Sequence, residues 1–374
     1  MMKKRISLLA TAVLAGALML SSLGLSGCGA SQSGQGSAPA ESESASESSE
    51  EASQPASEAP AESSSESEEQ ADSPETGSLV RIGGLKGPTS MGLVQLMDRA
   101  SRGETENTYE FTMAGAADEL VGKIATGDLD IALIPANVAS VLYSKTQGQV
   151  AVIDINTLGV LYVVASDDSI ASMGDLAGKT IYMTGKGTTP EYAMNYLLAE
   201  NGLTSEDVNL QFKSEATEVA SLLKEEPGSI GVLPQPFATA ACIQNPDLKQ
   251  VIDLTEEWDK LNESTGSMLV TGVTLARREF LDENPDAISL FLKDHQESTS
   301  YTSSNLDESA QLVADAGIVE KAPIAKQALP QCNIVCITGQ EMKDALSGYL
   351  AVLFEQDAAS VGGQLPGEDF YYLP

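Results

Sequence analysis

The stretch DLDIALIPANVASVLYS, Asp128 to Ser144, holds a complete structural unit. Asp130 to Ile134 is short, apolar and rich in strand formers; a Pro-Ala-Asn turn stops it, and apolar residues resume at helical spacing from Val138. Strand, turn and helix in that order form half of a βαβ unit.

The same order repeats on both sides. Upstream, YEFTM (Tyr109 to Met113) reads as a strand, and AADELVGKIATG puts Leu120, Val121 and Ile124 on one helix face before ending at Gly127. RIGGLKGPTSMGLVQLM, Arg81 to Met97, is a strand, a loop of Gly, Lys and Pro, and a helix carrying Met91, Val94 and Met97. Downstream, GKTIYMTGKGTTPEYAMNYLLAENG gives a strand at Thr180–Met183, a glycine-rich loop, and a helix with Tyr192, Met194, Leu197 and Leu198. GSIGVLPQPFATAAC repeats the scheme around Pro-Gln-Pro. Alternation of this kind predicts parallel, doubly wound sheets. Ligands of such sheets gather outside the carboxyl ends of the strands, where helix N-termini point their N–H groups.

The first 77 residues belong to a different physical regime. Lys3, Lys4 and Arg5 precede an apolar run, Leu8 to Leu20, that is too short to span a bilayer comfortably, and LSGC (Leu25 to Cys28) follows. Residues 1–27 therefore read as a secretory signal. Residues 29–77 contain no Lys, Arg, aromatic, Val, Ile or Leu, so they have almost nothing to bury and are expected to form an open acidic tether. Setting aside the tether's twelve acidic residues and the leader's three basic ones leaves 42 acidic and 18 basic residues, a net charge of −24. That balance argues against nucleic acid as a partner. The remaining 297 residues or so are enough for two lobes with separate cores.

Three cysteines follow Cys28, at 242, 332 and 336; their odd number and spacing match no zinc cluster. Buried free thiols are expected. The sole histidine, His295, lies in LKDHQES, in a helix expected to be exposed, which disfavours a Ser-His-Asp arrangement. GKGTTP lacks the spacing of a phosphate-binding P-loop. No cofactor is expected, and no enzyme.

RIGGLKGPTSMGLVQLM, KIATGDLDIALIPANVASVLY, MGDLAGKTIYMTGKGTTPEYAMNYLLAENGL and LPQPFATAA, behind a lipobox-like LSGC, resemble the substrate-binding lipoproteins of ABC importers, in the branch of nitrate, sulfonate, taurine and thiamine-pyrimidine binders. The resemblance implies an α/β, two-lobed type II periplasmic-binding-protein-like fold with two hinge crossings. It places lobe I in 78–158 and 268–374 with the C-terminal helices, and lobe II in 159–267. The crossings fall in TLGVLYVVAS and GSMLVTGVTLA. It implies lipidation of Cys28 and anchoring of residues 28–77 to the outer face of a cell membrane, a Gram-positive-type surface fitting the long tether better than a periplasm. It further implies monomeric capture of a small solute, anionic or resembling a vitamin precursor, and delivery to an ABC permease with its ATPase. A lyase of the futalosine route to menaquinone shares the bilobal fold and is the alternative, although such enzymes are not expected behind a tether.

Candidate ligand residues come from four loops. Lys86 and Lys186 suit an anionic head group; Thr89 and Ser90 are helix caps or ligands. Asn137 opens a helix directly after a strand. Gly185, Thr188 and Thr189 offer N–H groups and hydroxyls, Gln235 an amide framed by prolines, and Glu215 a partner for a cationic ligand. Trp258 is expected to pack between elements, and Tyr143, Tyr162 and Tyr192 either to pack or to stack on ligand. No arginine lies in these loops, so a bidentate guanidinium clamp is not expected.

Overall fold

Residues 77–374, apart from Ser205, are described by a computed structural model; the leader, Cys28 and the tether lie outside the described residues. Eleven strands and twelve α-helices follow in chain order among them: β1 (Leu79–Leu85), α1 (Val94–Ser101), β2 (Thr108–Ala114), α2 (Ala117–Thr126), β3 (Ile131–Pro135), α3 (Ala136–Thr146), β4 (Val150–Leu158), β5 (Leu161–Ala165), β6 (Thr180–Met183), α4 (Thr189–Glu200), β7 (Asn209–Phe212), α5 (Ala216–Glu225), β8 (Ile230–Pro234), α6 (Phe237–Gln244), β9 (Lys249–Asp253), α7 (Leu254–Asn262), β10 (Val270–Arg277), α8 (Arg278–Glu283), α9 (Pro285–Ser304), α10 (Leu306–Asp315), α11 (Ala322–Ala328), β11 (Ile334–Ile337) and α12 (Gly339–Gln356). None of these helices is long and apolar enough to cross a membrane.

The strands form two sheets. One has the order β11-β4-β10-β3-β1-β2, the other β7-β6-β8-β5-β9. β1, β2 and β3 run parallel, as do β6, β7 and β8. These are the strands whose alternation with helices is plain in the sequence. The sheets are nevertheless mixed: β10 is antiparallel to β3 and β4, and β5 is antiparallel to β8 and β9. The reason is connectivity, because β5 and β10 each enter from the other sheet and run against the parallel set, whereas β4 runs in the direction of β3. TLGVLYVVAS is accordingly two strands, β4 and β5, broken at Gly159 and Val160. A Cβ at Gly159 would stand 2.2 Å from Thr255 Oγ1 and 2.7 Å from Leu269 Cδ2, so only glycine fits this passage.

The first sheet is covered on both faces. Val80, Ile82, Leu133, Ile153 and Phe291 pack one face under α9, while Ala132, Ile134, Val152, Val273 and Leu275 pack the other. Asp130, in the LDIA run, locks this sheet. Its carboxylate accepts from Arg81 Nε (2.9 Å), Arg81 Nη2 (2.6 Å) and the Arg81 backbone N–H (3.0 Å), and lies 3.3 Å from Arg277 Nη2. One buried side chain thus ties the loop before β3 to β1 and β10. Burial works to raise the Asp130 pKa, but the Arg81 hydrogen bonds and charge outweigh it and leave it lowered.

Trp258 is fully buried, 4.5 Å from the Tyr196 ring and 5.6 Å from Tyr349, and so packs α7 against α4 and α12 as expected. Two expectations fail. His295 is fully buried rather than exposed, because α9 turns it under β4 with Phe291 stacked on its ring. All three cysteines in the described residues are free, but only Cys332 is buried; Cys242 and Cys336 are half-buried. Cys332 precedes β11, and Cys336 lies within it.

Candidate functional site

After β1 the chain passes Lys86 and Gly87 into a 3₁₀ turn, Pro88–Leu93. Thr89 and Ser90 lie in it, 6% and 0% exposed, and their hydroxyl oxygens are buried without a hydrogen-bond partner among the described residues. Buried polar atoms left unpaired in this way cost about 1–3 kcal/mol each, so two side by side call for an explanation. Glycines make room for them. A Cβ at Gly84 would stand 2.6 Å from Ser90 Oγ, and one at Gly272 would stand 2.4 Å from Thr89 Cγ2 and 2.6 Å from Asn156 Oδ1.

Gly272 also pairs with Pro135 at the end of β3, and Asn137 opens α3 two residues later. The Asn137 side chain is half-buried and makes no hydrogen bond among the described residues. Near the end of β4 stand Asn156 and Thr157, where the Thr157 hydroxyl donates to Asn156 Oδ1 (2.9 Å) and lies 3.5 Å from the Pro88 carbonyl. Thr89, Ser90 and Asn137 are therefore gathered at the carboxyl ends of β1 and β3, with Asn156, Thr157 and Gly272 completing the wall. Lys86, at the same end, is exposed and forms no ion pair among the described residues.

In the second sheet the loop after β6 is a self-satisfied turn. Gly185 and Gly187 take φ of 83° and 69°, where L side chains are strained. The Thr188 amide and hydroxyl both donate to the Gly185 carbonyl (3.0 and 2.6 Å), and the Gly187 N–H donates to Glu191. Lys186 and Thr188 are exposed and Thr189 is half-buried; Lys186 Nζ stands 5.9 Å from the centre of the Phe212 ring. Tyr192 ties this loop down, its hydroxyl 3.1 Å from the Gly187 carbonyl and 2.9 Å from Asp357 Oδ2. No hydrogen bond or ion pair among the described residues joins the loop to the cluster around Thr89.

Gln235 is placed differently from a ligand residue. It is 1% exposed; Nε2 donates to Gln250 Oε1 (3.0 Å) and Gln331 Oε1 (2.8 Å), while Oε1 accepts from the Thr239 hydroxyl (2.8 Å) and amide (3.3 Å). Its hydrogen-bonding capacity is spent within the protein. Tyr162, buried, donates to the Gln331 carbonyl at 2.9 Å, so the two form one strut. Tyr143 packs on Phe370 and bonds Asp369. Glu215 is exposed at the start of α5 and caps nothing.

Sequence reading missed Asn156 and Thr157. The available signal was VAVIDINTL, Val150 to Leu158, a run of buried strand residues interrupted by Asp154, Asn156 and Thr157. From the wall a chain of bonds runs inward: Asn156 Nδ2 to Thr274 Oγ1 (3.1 Å), Thr274 Oγ1 to Asp154 Oδ1 (2.8 Å), and Asp154 Oδ2 to His295 Nδ1 (3.2 Å).

Comparison with known proteins accords with this architecture. Residues 102–250 match the model of a family described as ABC transporter, phosphonate, periplasmic substrate-binding protein. The solved structure of an ABC transporter from Parabacteroides distasonis is similar, with a TM-score of 0.66 and 20% identity, covering 79% of this chain and 98% of that one. The periplasmic aliphatic sulphonate binding protein SsuA from Escherichia coli is similar with a TM-score of 0.63 and 17% identity, covering 79% of this chain and 92% of the other. A relative from Brucella abortus, named only as a binding protein, is 22% identical over 208 residues, 56% of this chain. The chain spans 61% of the length of that relative. The chain thus has the two-lobed periplasmic-binding-protein fold, and its resemblance to ABC-type substrate-binding proteins is borne out.

Proposed function

We propose that the protein captures a small organic solute bearing an oxyanion head in the cleft between its lobes and hands it unchanged to an ABC import permease. The observation that carries this reading is the pair of buried, unpaired hydroxyls of Thr89 and Ser90, set beside the uncommitted amide of Asn137 at the carboxyl ends of parallel strands. Such groups have no partner among the described residues, and a solute would supply one. The α3 N-terminus adds N–H groups and the positive end of a helix dipole. Lys86 and Lys186 supply the long-range attraction that a protein of strongly negative charge otherwise lacks. The family matched over residues 102–250 and the sulphonate-binding neighbour favour a phosphonate- or sulphonate-like head. Neutral donors, rather than an arginine fork, would hold it.

On this reading lobe I comprises 78–158 and 268–374 and lobe II 159–267, with closure about Gly159 and the passage before β10. Gly185, Lys186, Thr188 and Thr189 approach the solute only on closure, and Glu215 stays at the rim. Cys28 carries the lipid anchor on the outer face of the membrane, and residues 29–77 form the tether.

The test is a thermal-shift screen of the full chain against phosphonates, sulphonates, carboxylates, amines and pyrimidines, with each hit recovered and weighed by mass spectrometry. At a hundred times its dissociation constant a ligand adds about 2.7 kcal/mol, a readable shift. An oxyanion hit recovered unchanged is the expected result. A hit that is chemically converted would mark a lyase instead, and hits confined to cations would move the site toward Glu215.

A further inference from the structure

We propose that Asp154, His295 and Cys336 form a binding site for one divalent d-block cation of the zinc type. The three come from β4, α9 and β11, far apart in sequence, so no ligand spacing shows in the chain. In space their donor atoms all lie within 4.8 Å of one another. Carboxylate, imidazole and thiol together make the mixed O, N and S donor set that zinc and cobalt accept.

The geometry is close to what coordination requires. Donors about 2.0–2.1 Å from a tetrahedral zinc stand roughly 3.3 Å from each other. His295 Nδ1 and Asp154 Oδ2 are 3.2 Å apart. The Cys336 sulfur needs to close by only about 1 Å to complete a three-donor face, a movement within reach of a side-chain rotation. Asp154 is oriented from behind by the Thr274 hydroxyl on its other oxygen (2.8 Å), the kind of second contact that holds metal-bound carboxylates in place. The His295 ring is fixed by stacking on Phe291, with centroids 5.4 Å apart.

One further feature of the cluster points the same way. Asp154 and His295 side chains are 0% exposed, and no lysine or arginine among the described residues pairs with the carboxylate. A cation would neutralise the buried carboxylate. Cys336 lies half-buried on the edge strand β11.

The experiment is a titration of the metal-free full chain with Co²⁺ alone. One equivalent should produce a thiolate-to-cobalt charge-transfer band in the near ultraviolet together with the visible bands of a tetrahedral site, and Zn²⁺ should abolish both. Cys336→Ser should remove the charge-transfer band and weaken Co²⁺ binding by about tenfold or more, while Cys242→Ser and Cys28→Ser leave both unchanged. As an independent reading on the unaltered chain, one equivalent of Zn²⁺ should slow alkylation of Cys336 by about tenfold or more without slowing that of Cys242. Absence of a charge-transfer band at one equivalent, a band that survives Cys336→Ser, or alkylation of Cys336 indifferent to Zn²⁺ would overturn the proposal.

Discussion

Replacing Asp130 by Asn keeps the shape of the side chain and one acceptor oxygen but removes its charge. The wild-type carboxylate accepts two hydrogen bonds from the Arg81 guanidinium and one from the Arg81 backbone, and faces Arg277. Hydrogen bonds to charged groups contribute about 1.5–3 kcal/mol each, yet a plain sum overshoots. The Arg81 and Arg277 side chains are 34% and 20% exposed and regain water when released, and the Asn oxygen still serves one N–H. The expected loss is about 2–3 kcal/mol at pH 7, read as a lower midpoint in urea with an unchanged slope. A pH arm sharpens the test. The folded-state pKa of Asp130 is lowered, so its contribution is present above the ordinary aspartate range and disappears as pH falls through the lower folded value. The difference between wild type and Asp130→Asn should therefore be full at neutral pH and shrink below about pH 4. A loss under about 0.5 kcal/mol at pH 7, or a difference that persists unchanged at low pH, would refute the reasoning.

Other substitutions separate support from binding. Gln235→Ala breaks a saturated buried amide and strands Gln331, so thermal or urea unfolding should show a loss of about 2–3 kcal/mol. Asn137→Ala, which breaks no hydrogen bond in the empty protein, should stay within about 0.5 kcal/mol of wild type in the same assay and instead weaken solute binding. Gly272→Ala drives a methyl group into Thr89 and Asn156; a loss of about 1–3 kcal/mol is expected by unfolding, together with weaker binding by calorimetric titration.

The sequence revealed the parallel part of the fold because each strand and helix there carries its own signal: β-branched runs, glycine or proline stops, and apolar residues at helical spacing. Strand direction is not a local property, which is why the antiparallel entry of β5 and β10 stayed hidden and TLGVLYVVAS did not show its break at Gly159 and Val160. Thr89, Ser90 and Asn137 were legible as candidates because a polar residue just past a strand end has few places to go. Gln235 was misjudged in kind, since two flanking prolines say that a side chain is held but not what holds it. His295 misled because Lys293, Asp294 and Glu297 surround it in sequence; only the tertiary packing of α9 under β4 buries that position. Asn156 and Thr157 needed the same three-dimensional information, although polar residues inside VAVIDINTL were a usable hint.

The most direct test of solute capture is calorimetric titration of the best oxyanion hit into wild type, Thr89→Val and Ser90→Ala, with unfolding of each empty protein measured alongside. Both substitutions remove a buried hydroxyl that has no partner, so the empty proteins should be as stable as wild type or more stable by about 1 kcal/mol. Each should bind solute about tenfold more weakly, the equivalent of about 1.4 kcal/mol. Unchanged affinity in both variants, or empty proteins less stable than wild type, would show that these hydroxyls do not receive the solute.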